Sequence, residues 1–419
     1  MISSPPTTPL APANVIANLK ELRDLTGTPD GAQRVAFTPP WATARQWLRD
    51  KLAQLPGVQV KNDPAGNLWA TLRGSSDKEL LIGGHLDSVP DGGWLDGCLG
   101  TLAGLEILRR LASTGTPPPV TVRLVDWTDE EGARFGRSLF GSSAASGALV
   151  PDDVRFLTDK AGVRLIDAAR EHGIDLHRVL EAKHELTRAA AYIELHIEQG
   201  PVLESLNLPM GAVLGTFGVE RHAITFTGQA AHSGSTPMAQ RRDALAGASR
   251  LHGAVRDIAA KHGGVCTVGS VTTKPGIVTA VVGEAEMTLD QRHLSATALA
   301  AMHRDAVDAS ERIAREERID VAWRSIWQIQ PFPFHPNLIA LADAAIRETC
   351  GQSHRLPSGP LHDAAEVCRA GVPTVMLFVQ SLRGISHNKI EDTSEPHLEL
   401  AVRTLDRLAE QTMAWIETR

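Results

Sequence analysis

Residues 80–108 read LLIGGHLDSVPDGGWLDGCLGTLAGLEIL, and residues 120–132 read VTVRLVDWTDEEG. Leu80 to Val89 begins as an apolar run and ends in polar groups, and Val120 to Asp126 repeats that form, so both predict buried strands. Between them Leu102, Leu105, Leu108 and Ala112 recur at helical spacing. Strand, helix, strand in this order favours a parallel sheet. Further along, Ala190–Ile197 and Pro373–Val379 are strand-like, Phe334–Gly371 is largely helical with a loop, and Leu398–Ile416 carries a helical apolar stripe. Both ends of the chain thus predict one α/β domain, a mostly parallel sheet with helices on both faces.

The middle has another rhythm. His222–Gly228 alternates as a strand, Ala244–Ala260 is helical, Cys266–Thr272 and Ala285–Asp290 are strands, Thr297–Arg315 is helical and Ile319–Trp327 is a strand. That β-α-β-β-α-β order is the mark of a ferredoxin-like unit. Gly211–Gly215 and the Pro-rich Gln330–Pro336 bound it. The expected division is a catalytic domain from 1–213 and 330–419 with an insert at 214–329. At 419 residues, two domains are the natural expectation.

With 42% apolar and 22% charged residues the composition is globular. A net charge of -7 gives no electrostatic reason for a nucleic-acid or anionic-membrane partner, and no apolar run is long enough to span a bilayer. The Pro/Thr/Ala-rich stretch Met1–Asn18 lacks the basic and apolar regions of a signal peptide. Cys98, Cys266, Cys350 and Cys368 are far apart with no CxxC spacing, which argues against disulfides and a thiolate zinc site and for a cytoplasmic setting.

Four places carry chemistry. His85 and Asp87 alternate to one side of the chain, so the carboxylate can orient the imidazole for a metal. Asp96 follows in the glycine-rich loop 91–97, where one carboxylate can serve two cations or simply cap a helix. Glu130 and Glu131 lie just past the second strand, one able to ligate metal while the other shuttles protons; an acidic surface loop is the bland alternative. His196 interrupts an apolar strand and His387 follows the last one, each readable alone as a hydrogen-bonded structural histidine. All of these fall at or beside strand ends of one domain, where ligands gather in open α/β sheets. Mixed histidines and carboxylates suit zinc or manganese better than calcium.

The segments GGHLDSVPDGGWLDGCLGTLAGLEIL, DWTDEEGARFGRSLFGSSAASG, IELHIEQGPVLE, ITFTGQAAHSGSTPMAQRRDAL, LDQRH, SGPLHDAAE and MLFVQSLRGISHNKIEDT together span nearly the whole chain. They closely resemble the dinuclear-metal family of N-carbamoyl-L-amino-acid hydrolases, β-ureidopropionases and allantoate amidohydrolases, relatives of aminoacylases and zinc carboxypeptidases. The resemblance implies two divalent ions per subunit (zinc, manganese, cobalt or nickel), with Asp96 bridging, His85 and His196 completing one site, and Glu131 and His387 the other. It implies Glu130 as general base and Asp87 as support for His85. It also implies a lid and dimerisation role for the insert, with His232 polarising the scissile carbonyl from the partner subunit. Arg292 would pair with a substrate carboxylate, Gln199 would meet the carbamoyl or amide end, and Gly359 would lie near substrate.

This chain departs from the family twice. Thr279–Gly283 replaces an Asn-Val-x-Pro-Gly segment whose Asn contacts substrate, and Leu361 stands where glycine is usual. The expected activity is hydrolysis of an N-carbamoyl-L-amino acid to amino acid, carbon dioxide and ammonia. β-Ureidopropionate and allantoate are alternatives, aminoacylase or dipeptidase chemistry a more distant one. A non-catalytic relative should have lost the base or a ligand, and neither is lost here.

Overall fold

The computed structural model describes residues 9–419. The first eight positions of the Pro/Thr/Ala-rich stretch Met1–Asn18 lie outside the described residues, and from Pro12 the stretch is helix. Proline suits that first turn because its missing N–H has no helical partner there.

The chain forms two compact units, one running to Leu214 and resuming over Phe334–Arg419, the other Gly215–Pro333. In the larger unit four strands form a parallel core in the order Thr374–Val379, Ala189–Ile197, Glu79–His85, Thr121–Trp127. Antiparallel strands flank it: Leu68–Leu72 and Val58–Asn62 on one side, Met210–Thr216 on the other. The sheet is therefore mixed, with a parallel centre. His354–Ser358, inside the stretch expected to be helix and loop, pairs with Met210–Thr216. Met210–Thr216 itself contains the glycines that mark a boundary in the sequence, and it is a buried strand.

Alternation along Glu79–His85 sends residues to both faces. A Cβ on Gly84 would strike Thr101 of the Cys98–Ala112 helix, and one on Gly83 would strike the Tyr192 ring. Both faces are covered, so every residue of Glu79–His85 and of Thr121–Trp127 is buried, as parallel strands require.

The smaller unit runs Gly218–Thr227, Ala244–His262, Val265–Lys274, Glu284–His293, Ala296–Glu317, Asp320–Ile329. Its four strands pair antiparallel in the order Val265–Lys274, Glu284–His293, Gly218–Thr227, Asp320–Ile329. That is the ferredoxin-like arrangement. Ile224, Phe226, Met287 and Leu289 pack beneath the two helices through Leu251, Val255, Met302 and Ile313.

Candidate metal and catalytic site

The candidate ligands converge at the carboxyl ends of the four parallel strands, the edge where such sheets bind. His85 ends its strand, His196 stands one residue before the end of Ala189–Ile197, Glu130 and Glu131 follow Thr121–Trp127, and His387 follows Thr374–Val379. Asp96 sits just before the Cys98–Ala112 helix, whose cap is Gly97, not Asp96.

Two groups of donors form around Asp96: His85 with His196, and Glu131 with His387. Asp96 divides its oxygens between them. Oδ1 lies 3.1 Å from His196 Nε2 and 4.0 Å from His85 Nε2, while Oδ2 lies 3.3 Å from His387 Nε2. His387 Nε2 is also 3.3 Å from Glu131 Oε2, and Glu130 Oε2 comes within 3.9 Å of His85 Nε2.

The imidazole tautomers bear on what belongs between these groups. His85 donates through Nδ1 to the Asp87 carbonyl at 3.1 Å, and His196 through Nδ1 to the Ile197 carbonyl at 2.9 Å. In the neutral rings both Nε2 lone pairs then face a carboxylate, and His196 Nε2 is buried without a hydrogen bond. Two electron-rich atoms at this spacing call for a positive charge between them. Burial opposes a proton on His196, yet the Asp96 and Glu194 carboxylates hold its pKa up to about 9, which measures that demand. Burial also pushes Glu130 and Glu131 well above the usual carboxylate range, with further upward pressure from Asp363 and Glu131 on Glu130, and from Asp96 and Asp87 on both. Such a donor set fits divalent cations.

Asp87 meets His85 more closely through its carbonyl than through its side chain. Its carboxylate is 3.6 Å from His85 Nδ1, farther than its own carbonyl. It instead accepts the backbone N–H groups of Glu130 and Glu131 at 3.2 and 3.1 Å, which fixes the acidic pair.

Several supporting residues carry no signal in the sequence. Asp126 accepts from Leu86 N–H at 2.8 Å and pairs with buried Arg45 at 2.7 Å, so the chain between His85 and Asp87 is anchored from a distant helix. Glu391 accepts from the N–H groups of Leu95 and Asp96 and from the Ser386 hydroxyl. His362, within the SGPLHDAAE segment, packs its ring 4.3 Å from that of His196. Asp129, Gln199 and His387 all hold positive φ, a backbone cost borne at the site.

Gln199 Nε2 donates to Asp96 Oδ2 at 2.9 Å and to Ser386 Oγ at 3.0 Å, which leaves its Oε1 buried with no donor. Gly359 follows the His354–Ser358 strand with open space where a Cβ would be, and Leu361 beside it is half-buried. In the smaller unit, His232 is exposed and its Nδ1 accepts from the N–H groups of Gly234 and Ser235, so a neutral ring carries its proton on Nε2. The divergent segment Thr279–Gly283 borders this histidine: Ala280 pairs with His232 and Val281 with Ala231. Arg292 is half-buried and grips both oxygens of Asp290, through Nε to Oδ1 at 2.7 Å and Nη2 to Oδ2 at 3.2 Å, and Oδ2 also accepts from Arg221.

Among known proteins, residues 81–411 match the model of peptidase family M20/M25/M40. The chain is 33% identical to an N-carbamoyl-L-amino acid amidohydrolase of Geobacillus stearothermophilus, over 89% of this chain and 91% of that one. It is 34% identical to an allantoate amidohydrolase of Escherichia coli K12, over 92% and 93%. A crystal structure of an amidase of the hydantoinase/carbamoylase family from Burkholderia multivorans superposes with a TM-score of 0.86 at 31% identity, covering 96% of this chain and 98% of that one.

Proposed function

The chain belongs to peptidase family M20/M25/M40 and is a metal-dependent amidohydrolase, and from that membership we propose that it hydrolyses the ureido C–N bond of an N-carbamoyl-L-amino acid. The observation that carries this reading is the division of Asp96 between two groups of ligands with Glu130 beside them. We assign two divalent ions of the zinc, manganese, cobalt or nickel class to His85, Asp96 and His196, and to Asp96, Glu131 and His387. When bound, such ions supply Lewis acidity toward the attacking water and the carbonyl.

The protein's own groups do the rest. Glu130, a buried carboxylate whose affinity for a proton is raised, accepts one from water on a side-chain oxygen as that water adds to the carbamoyl carbon. It returns the proton to the departing nitrogen when the C–N bond breaks. The products are the free amino acid and carbamic acid, which falls apart to carbon dioxide and ammonia. Gln199 Oε1, a buried acceptor without a donor, suits the carbamoyl NH2. We assign the substrate carboxylate to the guanidinium of Arg292, which Asp290 holds through Nε and Nη2. His232 presents an Nε2–H able to polarise the carbonyl, and we assign it to the site of a partner subunit in a homodimer. Sedimentation of the active enzyme as a single chain would exclude that dimer. Four free cysteines among the described residues support a reducing, cytoplasmic home, and no helix there is long and apolar enough to cross a membrane.

The similarity to a carbamoylase and to an allantoate hydrolase is nearly equal, so a substrate panel tests the assignment. N-carbamoyl-L-amino acids, β-ureidopropionate and allantoate are each incubated with metal-loaded enzyme and ammonia is measured. Highest kcat/KM for an N-carbamoyl-L-amino acid supports the proposal. Preference for allantoate or β-ureidopropionate replaces it within the same reaction class, and ammonia from none of them rejects ureido hydrolysis.

A further inference from the structure

In the unit Gly215–Pro333, the helix-covered face of the sheet is apolar at one end and polar at the other. Ile224 and Phe226 on the strand Gly218–Thr227 lie in its core. The same alternation brings Glu220 and His222 onto that face. Gln291 stands opposite Glu220 in register, again on the core face, and is fully buried. From the Ala296–Glu317 helix, His303 lies over His222 with ring centroids 4.4 Å apart and planes 8° apart. Trp323 closes the group edge-on, 5.4 Å from each ring.

Ligand atoms of Glu220, His222 and His303 all fall within 4.8 Å of one another, and His222 Nε2 is 3.7 Å from Glu220 Oε2. Two further observations point to a ligand. His222 is 6% exposed and its Nδ1 has no hydrogen-bond partner, and the side-chain oxygen of Gln291 is likewise buried without a donor. The Gln291 amide nitrogen turns to Cys266, so it is the orphaned His222 nitrogen, stacked on a second imidazole with a carboxylate alongside, that bears most directly on the cluster.

We propose that Glu220, His222 and His303 hold a divalent transition-metal ion of the zinc class, separate from the Asp96 centre. Two imidazoles and one carboxylate suit zinc, cobalt or nickel, whereas calcium and magnesium favour all-oxygen shells. Strand spacing of two residues presents Glu220 and His222 side by side, and the helix supplies the third donor, so an ion here clamps helix to sheet. Tetrahedral zinc needs donors about 3.3 Å apart, so the ion draws the group inward. The near-parallel rings must also fan apart, a turn about the broad terminal torsion of histidine.

The test compares the full-length chain with His303→Gln, both stripped by chelation, reloaded with Zn2+ and dialysed, and reads metal per chain by mass spectrometry. The difference between parent and variant is the readout, so it is independent of how many ions the Asp96 centre holds. His303→Gln is expected to carry one equivalent less than the parent. The same loss should appear in an Asp96→Ala background, and Zn2+ should raise the melting temperature of Asp96→Ala but not of Asp96→Ala with His303→Gln. Equal metal content in parent and a folded His303→Gln overturns the site and leaves a stacked histidine pair. If that variant does not fold by circular dichroism, Glu220→Gln, at a half-buried position, is read in the same way with the same two outcomes.

Discussion

At the scale of single residues, Asp96 carries more of the site than any other side chain. One oxygen faces His85 and His196, the other His387, Gln199 and Ser386. Outer-shell substitutions in metal sites typically cost roughly 10–100-fold in affinity, so removing a ligand shared by both groups should cost more than that. Asp96→Ala is expected to lose metal from both groups and most turnover with it; retention of the full parental content at that centre would refute the sharing. The ligands themselves are legible in the sequence because each is a histidine or carboxylate at the end of an apolar run. Their supports are not. Glu391 stands 295 positions from the Asp96 N–H it accepts, and Arg45 81 positions from Asp126, and nothing local in either residue announces the pairing. Asp87 shows the same limit: alternation places it near His85, but only the fold brings the Glu130 and Glu131 amides to its carboxylate.

At the scale of elements, the turn from Asp96 into the Cys98–Ala112 helix is packed directly against a ligand. Gly97 has φ +66, and a Cβ there would come 2.3 Å from the His85 ring. Gly97→Ala therefore combines backbone strain of about 1 kcal/mol with displacement of a ligand. Metal affinity at the Asp96 centre should fall roughly 10–100-fold, the cost of disturbing a ligand's support, as measured by titration of the chelated protein. Unaltered affinity would mean that His85 is not held where the geometry has it. Elements with strong apolar periodicity are readable from the amino-acid sequence alone, as the central strands and the Cys98–Ala112 helix show. Three that go unread have weak patterns, Val58–Asn62 as a largely exposed edge strand, Met210–Thr216 broken by glycines and His354–Ser358 with a proline, whereas Leu68–Leu72 is fully buried but only five residues long.

At the scale of the whole molecule, the buried acids make stability depend on metal and pH together. Burial raises Asp87 to about 6 and Glu194 and Glu391 to about 7. Their unfolded values lie near 4, so the folded state binds protons that the unfolded state has released. By linkage this stabilisation is complete below about pH 4 and is lost as pH rises through 6 to 7. Buried His85, held neutral with a pKa of about 4, pulls the other way, but only up to the unfolded histidine value near 6.5. Between about pH 6.5 and 8 the metal-free chain should therefore become less stable, while bound cations offset the carboxylate charge and flatten the fall. Denaturation midpoints with and without chelator check this, and a metal-free midpoint that rises over that interval would contradict it.

If Glu130 moves the proton while other residues hold the metal, Glu130→Gln separates these roles. Metal content and ammonia release from the best ureido acid are measured on the same preparation of parent and variant. Metal content is expected within error of the parent and kcat reduced about 10²-fold or more, the usual contribution of a general acid-base group. Parental turnover at full metal occupancy would contradict it.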